Sequence, residues 1–124
     1  MAIVVVEGLN QTVRTLKQFG VSVEDLKEGN KQISSKVAKD AIAIAPRLTG
    51  NLASSIKGTA QQRKAVITAG GQRVPYAGPI EYGWPVRNIE ARPYLRKAGW
   101  KNKEFIIRKY EENIRDLAYK YDLI

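Results

Sequence analysis

One stretch of this sequence constrains the fold more than any other: Ala45-Pro46-Arg47-Leu48-Thr49-Gly50-Asn51-Leu52-Ala53-Ser54-Ser55-Ile56. Pro46 has no N–H and disfavours helical geometry at the residue before it, so a helix arriving from upstream is expected to end there. Gly50 adopts positive φ at no steric cost, and its Thr and Asn neighbours can bond nearby backbone groups. We therefore expect this stretch to close a long helix, turn sharply and open the β part of the molecule.

Upstream of this turn, the pattern predicts a strand and two helices. Ile3-Val4-Val5-Val6 is a β-branched run typical of a strand. A short helix capped by Asn10 is expected to end at Gly20. A longer helix begins at Ser22, because apolar residues then recur at helical spacing up to Pro46. Its stripe consists of Val23, Leu26, Ile33, Val37, Ala41 and Ile44.

Downstream of the turn, alternating apolar positions in 56–60 and 65–69 predict an antiparallel hairpin. Two prolines rule out a central strand in 74–83 and leave its structure open, with a short edge strand at Ile80 and Tyr82 as one option, and residues 84–91 look like an irregular surface loop. Pro93 suits the first position of a helix that continues to the C-terminus. The residues thus predict a single α+β domain spanning 1–124: a small antiparallel sheet packed against a long central helix and a long C-terminal helix.

Charge is unevenly distributed along the 124 residues, whose formal net charge is +9. Residues 1–46 carry six basic and five acidic groups, residues 47–109 thirteen and three, and residues 110–124 two and four. The segment charges are therefore +1, +10 and −2. The basic middle segment is expected to face nucleic acid, an acidic protein surface or only solvent.

Residue usage narrows the chemistry that we expect. The chain has no histidine and no cysteine, which removes the usual general base, thiolate chemistry and the common zinc ligands. We expect no cofactor, no metal site and no enzymatic activity. Glu81 is the carboxylate that stands out, because Tyr76, Tyr82 and Trp84 lie near it in sequence, and it is a candidate general acid or base. A structural hydrogen bond or an ion pair is the more common role of such a glutamate.

Three pieces of the sequence together resemble a known family. They are Val6-Glu7-Gly8-Leu9, the stretch 45–56, which is similar to "AP-x-x-TG-x-L-x-x-SI", and a third, split piece. The third piece is similar to "YA…hEaG…a-x-PaLrpA", where h is apolar and a aromatic. It comprises Tyr76-Ala77, Ile80-Glu81-Tyr82-Gly83 and Ala91-Arg92-Pro93-Tyr94-Leu95-Arg96-Lys97-Ala98. The family is that of the small neck or tail-component proteins at the head–tail junction of long-tailed double-stranded DNA phages.

The resemblance implies a non-enzymatic virion protein that forms a six-fold or twelve-fold ring around the DNA channel. Its partners would be copies of itself, the connector or head-closure protein, and the tail-terminator or tail-tube protein, with non-specific contact to packaged DNA. It would be located in the neck or tail of the virion, and in the host cytoplasm during assembly, with no membrane partner. A tail-terminator role is a close variant of this interpretation.

Two sets of residues follow from this interpretation. Structural roles are expected for Pro46, Thr49, Gly50, Leu52, Ile56, Tyr76, Glu81, Tyr82, Gly83 and Pro93. Subunit or partner contacts are expected for Trp84, Arg87, Arg92, Tyr94 and Arg96. Aromatic and arginine side chains of this kind are enriched in interface hot spots. The C-terminal helix, basic in its first half and acidic in its second, is a further expected contact surface.

The alternative comes from a different class of protein: a small basic RNA-binding protein or a ribosome-dependent ribonuclease toxin. Its candidate residues are Arg63, Arg73, Glu81, Tyr82 and Arg87. The aromatic rings would then stack on bases beside the arginines. Residues alone leave both classes open.

Overall fold

The computed structural model describes residues 2–7, 14, 17, 18, 20, 22–46, 50–71 and 74–121. Within these residues the chain forms an antiparallel sheet of three strands. The strands are β1 (Ala2–Glu7), β2 (Lys57–Ala60) and β3 (Lys64–Ala69), in the order β1-β3-β2. The expected first strand and hairpin are thereby confirmed. Most of the short helix expected after Asn10 lies outside the described residues, as do Thr49 and Arg73.

Helix α1 (Val23–Ile44) is the long central helix. It begins after Ser22, whose hydroxyl accepts a hydrogen bond from Asp25 N at 3.2 Å and so caps the first turn. It ends at Ala45, directly before Pro46, as predicted. Both ends of α1 therefore follow from local residue chemistry.

The turn at Gly50 differs from the expectation in one respect. Gly50 has φ +80°, the left-handed conformation that its position required. The chain then forms a single helical turn, α2 (Asn51–Ser54), before it enters β2, so the stretch does not open directly into a strand. Gly50 O starts this turn by accepting from Ser54 N at 3.0 Å and Ser54 Oγ at 2.9 Å. Leu52 and Ile56 are buried on the core side.

The segment left open by its prolines is helical: Ile80 and Tyr82 lie in helix α3 (Ala77–Tyr82), and the edge strand considered there does not form. Pro79 lies in its first turn, where its missing N–H has no helical partner to lose. Gly83 closes the helix with φ +79° and donates to Pro79 O at 2.7 Å. A 3-10 helix (Pro85–Arg87) follows, inside the segment expected to be an irregular loop.

The C-terminal element is two helices, α4 (Tyr94–Lys101) and α5 (Lys103–Lys120), where one was expected. Asn102 separates them. Its buried side-chain amide donates to Ala98 O at 2.8 Å and Asp40 Oδ2 at 2.7 Å, which fixes the break against α1. Pro93 precedes the first helical residue of α4 by one position.

Helices α1 and α4 pack against one face of the sheet, and α5 packs against α1. The core is formed by α1, the inner face of β1 and β3, and the start of α4. The outer face of β1 is exposed at Ile3 and Val5. None of the helices in the described ranges has both the length and the apolar composition that a membrane crossing requires.

Candidate interaction site

A short closed loop projects between α3 and α4, and we call residues 84–89 the Trp84 loop. Its two ends pair with each other, since Trp84 N donates to Ile89 O at 2.8 Å and Ile89 N to Trp84 O at 3.0 Å. The 3-10 turn lies between them, and Asn88 closes it in the left-handed region at φ +55°. The loop is therefore a defined small hairpin.

Glu81 fixes the base of this loop by capping α4 from another helix. The residue that precedes α4 is Pro93, which has no side-chain acceptor for the free N–H groups of the first turn. Glu81 supplies the acceptor: Oε2 takes Leu95 N at 2.9 Å and Oε1 takes Arg96 N at 3.0 Å. A carboxylate at a helix N-terminus is also favoured by the helix dipole. Glu81 is fully buried, so it is a structural cap.

Arg96 completes the charge balance around that buried carboxylate. Its Nε donates to Glu81 Oε1 at 2.9 Å and its Nη2 donates to Glu81 O at 2.6 Å. The guanidinium also lies 5.0 Å from the centre of the Tyr82 ring, within cation–π range. Because its side chain keeps 37% exposure, Arg96 connects the buried cap to the surface.

Two further bonds join the helices across the base of the loop. The Tyr94 hydroxyl donates to Ala77 O at 2.9 Å, and Arg92 N donates to Ile80 O at 2.7 Å. Burial, with the Glu81 charge as a second cause, raises the pKa of Tyr94 well above its usual range. Tyr94 therefore stays protonated as a donor. With Glu81 and Arg96, these contacts hold both ends of the loop in place.

The exposed side of the loop carries large apolar and cationic groups. Val86 is 85% exposed and Trp84 44% exposed. The Arg87 guanidinium lies 5.4 Å from the Trp84 ring centre, which orients the cation on the aromatic surface. An open groove of about 510 Å³ runs beside it, lined by Tyr82, Gly83, Pro85, Asn88, Ile89, Glu90 and Ala91. Rigid aromatic and arginine groups beside a groove are suited to protein binding.

The structure assigns the five expected contact residues to different environments. Trp84, Arg87 and Arg92 are exposed, and Arg96 is half exposed. The expectation that Tyr94 contacts a partner was wrong. Only 1% of Tyr94 is exposed, so it belongs to the core. The sequence could not distinguish a core role from a contact role for Tyr94, because an aromatic residue beside arginines gives the same pattern whether it faces inward or outward.

Several exposed apolar residues were not anticipated as contacts, notably Val86, Ile3 and Val5. Val86 carries no sequence signal beyond its position between Pro85 and Arg87. Alternation along β1 assigns Ile3 and Val5 to the face opposite Val4, but four consecutive apolar residues hide which face is solvated.

Among the described residues proposed for an RNA-cleaving site, Arg63 lies apart from Tyr82. The register of β1 places Arg63 beyond the Glu7–Lys64 pair, while the Tyr82 hydroxyl donates to Ile3 O at 3.1 Å. Four residues of strand, about 13 Å, separate these points. Glu81 is buried and its carboxylate is engaged. Among the described residues, no cluster of three carboxylates or other metal ligands occurs.

Comparison with known proteins yields no relative. No known protein family, no curated protein and no solved structure matches this chain.

Proposed function

We propose that this protein is a structural subunit of a tailed-phage virion that forms a ring of identical copies at the head–tail junction. The ring would join the DNA-filled head to the tail. The assignment to a phage neck is motivated by the sequence resemblance. The kind of activity, binding by a rigid surface, is supported by the geometry of the Trp84 loop.

One observation carries the proposal: the residues that form the third motif are bonded to one another around the base of an exposed loop. Glu81 caps α4, Tyr94 bonds Ala77, and Gly83 turns the chain where a Cβ would meet Ala91 N at 3.1 Å. A substrate site would use such polar residues at an accessible surface. Here they are internal, and the groups left outside are Trp84, Val86 and Arg87.

A pre-organised loop of this kind loses little conformational entropy on binding, which favours specific contacts between subunits. A ring subunit also needs two different complementary surfaces, because each copy contacts two neighbours through heterologous interfaces. The middle segment, at +10, and the C-terminal segment, at −2, have opposite net charges that could attract one another between copies. We expect assembly to weaken at high salt for this reason.

The ribonuclease alternative lacks comparable support. Its general base would be Glu81, which is 0% exposed and accepts three hydrogen bonds from Leu95 and Arg96. A base must approach the proton that it removes to within hydrogen-bond distance, directly or through one water. The geometry gives Glu81 no such access.

The test uses a phage from which this gene is deleted, complemented by the variant Trp84→Ala with Arg87→Glu. We expect filled heads and finished tails that remain separate in electron micrographs, with at least a tenfold loss of infectious particles. The variant subunit should keep its circular dichroism spectrum and melting temperature, because both side chains are exposed.

A matched control exchanges the same residue types elsewhere on the surface: Trp100→Ala with Arg63→Glu, both exposed in the structure. The control should complement normally. Normal numbers of joined particles with the Trp84 and Arg87 variant would exclude this loop as the contact. Absence of the protein from wild-type particles, measured by mass spectrometry, would exclude the neck function itself.

A further inference from the structure

The hydrogen-bond register shows which backbone groups lie at the free edge of β2. Gln61 N donates to Lys64 O at 2.9 Å, so these two residues form a hydrogen-bonded pair at the end of the hairpin. Hydrogen-bonded and non-bonded pairs alternate along an antiparallel ladder. With the observed register, Lys57 and Thr59 bond to β3, whereas the N–H and C=O groups of Gly58 and Ala60 point away from the sheet.

The same alternation assigns the edge of β1. Because Ala65, Ile67 and Ala69 of β3 turn away from β2, they bond to β1 through Val6, Val4 and Ala2. The backbone groups of Ile3 and Val5 therefore face the free side. The Tyr82 hydroxyl donates to Ile3 O at 3.1 Å, which agrees with this assignment.

Apart from the Tyr82 hydroxyl on Ile3 O, the described residues give neither edge the features by which proteins usually prevent edge pairing. β1 reads Ala-Ile-Val-Val-Val-Glu, with no proline and no charge before its last residue. Its outward side chains are 47% exposed at Ile3 and 43% at Val5. In β2, Lys57 is the single charge and Gly58 is exposed. Helix α1 covers only the inner face there: a Cβ on Gly58 would come within 2.5 Å of Ser34 O.

The edge of β1 is continuous with the Trp84 loop. Tyr82 ends α3, is 51% exposed and contacts the backbone of β1, and Trp84 follows two residues later. A partner strand on β1 would therefore lie beside Tyr82 and Trp84 and would be held by both surfaces.

We propose that β1 of one subunit pairs with β2 of the next copy, so that the sheet continues from subunit to subunit. This inference rests on the proposed function, because it names the contact that would close the ring. Both strands are antiparallel to β3 and hence parallel to each other, so a contact that preserves strand direction is parallel and head-to-tail. Such a contact is heterologous and repeats around an axis.

A second copy is the occupant because this chain supplies both halves of the contact. Each subunit has one free edge rich in β-branched residues and one edge of small residues, on opposite sides of one sheet. An extended segment from a different protein would satisfy β1 and leave the Gly58 and Ala60 backbone groups of every subunit unpaired. Pairing between copies satisfies both edges at once.

The absence of cysteine from the sequence permits a clean cross-linking test. Val5 and Thr59 lie in one row across the outer face, each opposite Val66. Particles are assembled with the variant Val5→Cys with Thr59→Cys, and in parallel with Ile3→Cys and Thr59→Cys to allow for a two-residue change of register. After oxidation, denaturing gels without reductant should show a ladder of covalent multimers. Each single-cysteine variant should give less than a tenth of that product.

Two outcomes contradict the inference even when the protein is present in particles. The first is the absence of a ladder from both double variants, which excludes edge pairing while the neck function stands. The second is an efficient covalent dimer from Val5→Cys alone, which indicates symmetric pairing of two β1 strands. If particles lack the protein, the neck proposal fails. Edge pairing is then tested by the same oxidation of concentrated purified protein: a ladder supports it and the absence of a ladder contradicts it.

A proline variant tests the backbone directly. Val5→Pro removes an N–H that points away from β3, so the subunit should remain folded while assembly falls at least tenfold. Val5→Ala is the matched control, because it also removes the exposed side chain but keeps the N–H. Equal assembly by the two variants would contradict a backbone contact at this edge.

Discussion

Among the described residues, Glu81 and Asp25 both accept hydrogen bonds near helix N-termini, and they differ in burial. Glu81 caps α4 from a neighbouring helix and is fully buried. Asp25 lies in the first turn of α1 and holds the end of the chain, accepting from Tyr121 Oη at 2.5 Å and from Lys120 Nζ at 2.9 Å. The first contact organises the loop of the candidate site, and the second joins α5 to α1 at the surface.

The comparison shows that similar hydrogen bonds have different consequences for stability. Removing one partner of a buried charged pair leaves groups that water cannot reach, which is costly. An exposed pair exchanges its contacts for water and is screened by salt. We therefore expect the Glu81 contacts to determine stability and loop geometry, and the Asp25 contacts to tune the attachment of α5.

The largest effect is expected for Glu81→Gln, which keeps the shape of the side chain but places an amide donor among N–H donors. The free energy of unfolding should fall by about 3 kcal/mol, the lower end for breaking a buried pair, because Arg96 is partly exposed and can turn to water. Urea denaturation followed by circular dichroism measures the change. Glu90→Gln, an exposed glutamate in the same segment, should change it by less than about 0.5 kcal/mol. Equal stability of the two variants would show that Glu81 is not a cap.

A smaller effect is expected for Tyr94→Phe, which removes one neutral hydrogen bond at the base of the loop. Ala77 O would lose the hydroxyl that donates to it, and Ala77 is fully buried. The expected loss is about 1–2 kcal/mol of unfolding free energy in the same urea experiment. Tyr76→Phe provides the control, because Tyr76 is 36% exposed and should tolerate the change. A loss from Tyr94→Phe no larger than that of the control would mean that the Tyr94 hydroxyl adds nothing to the other contacts that hold α3 against α4.

Sequence patterning predicted most of the secondary structure because its signals are local. The Ser22 cap, the stop at Pro46 and the left-handed Gly50 follow from single-residue chemistry. The hairpin followed from alternation. The segment with Pro79 was ambiguous for a local reason, because a proline is tolerated in a first helical turn as well as at a sheet edge. The break in the last helix depends on a distant partner, because Asn102 bonds Asp40 of α1.

The candidate site was predicted less completely for the same reason. Glu81 stood out by its aromatic neighbours, but its actual partners are the amides of Leu95 and Arg96, fourteen and fifteen residues away. Tyr94 and Trp84 are both aromatic residues near arginines, yet one is 1% and the other 44% exposed. Only the packing of α3 against α4 separates them. The free edges of the sheet required the register of β3, which no single segment encodes.

The smallest effect is expected for Asp25→Asn, and it should depend on pH and on salt. Hydrogen bonds from Tyr121, then from Lys120, lower the pKa of Asp25 below its ordinary value of 3.8. A lowered folded-state pKa stabilises the protein above the unfolded-state pKa, and this contribution disappears as pH falls through the folded-state pKa. The melting temperature of Asp25→Asn should therefore lie slightly below that of the wild type at neutral pH and converge with it in acid. High salt should reduce the neutral-pH difference, because Asp25 and Lys120 are at the surface.

Asp116→Asn, which alters an exposed aspartate of α5 that no described residue pairs with, should show neither trend. A neutral-pH difference that persisted in high salt would place Asp25 in the same class as the buried Glu81 and remove the contrast between the two carboxylates. A difference unchanged in acid would show that the charge of Asp25 does not contribute to stability.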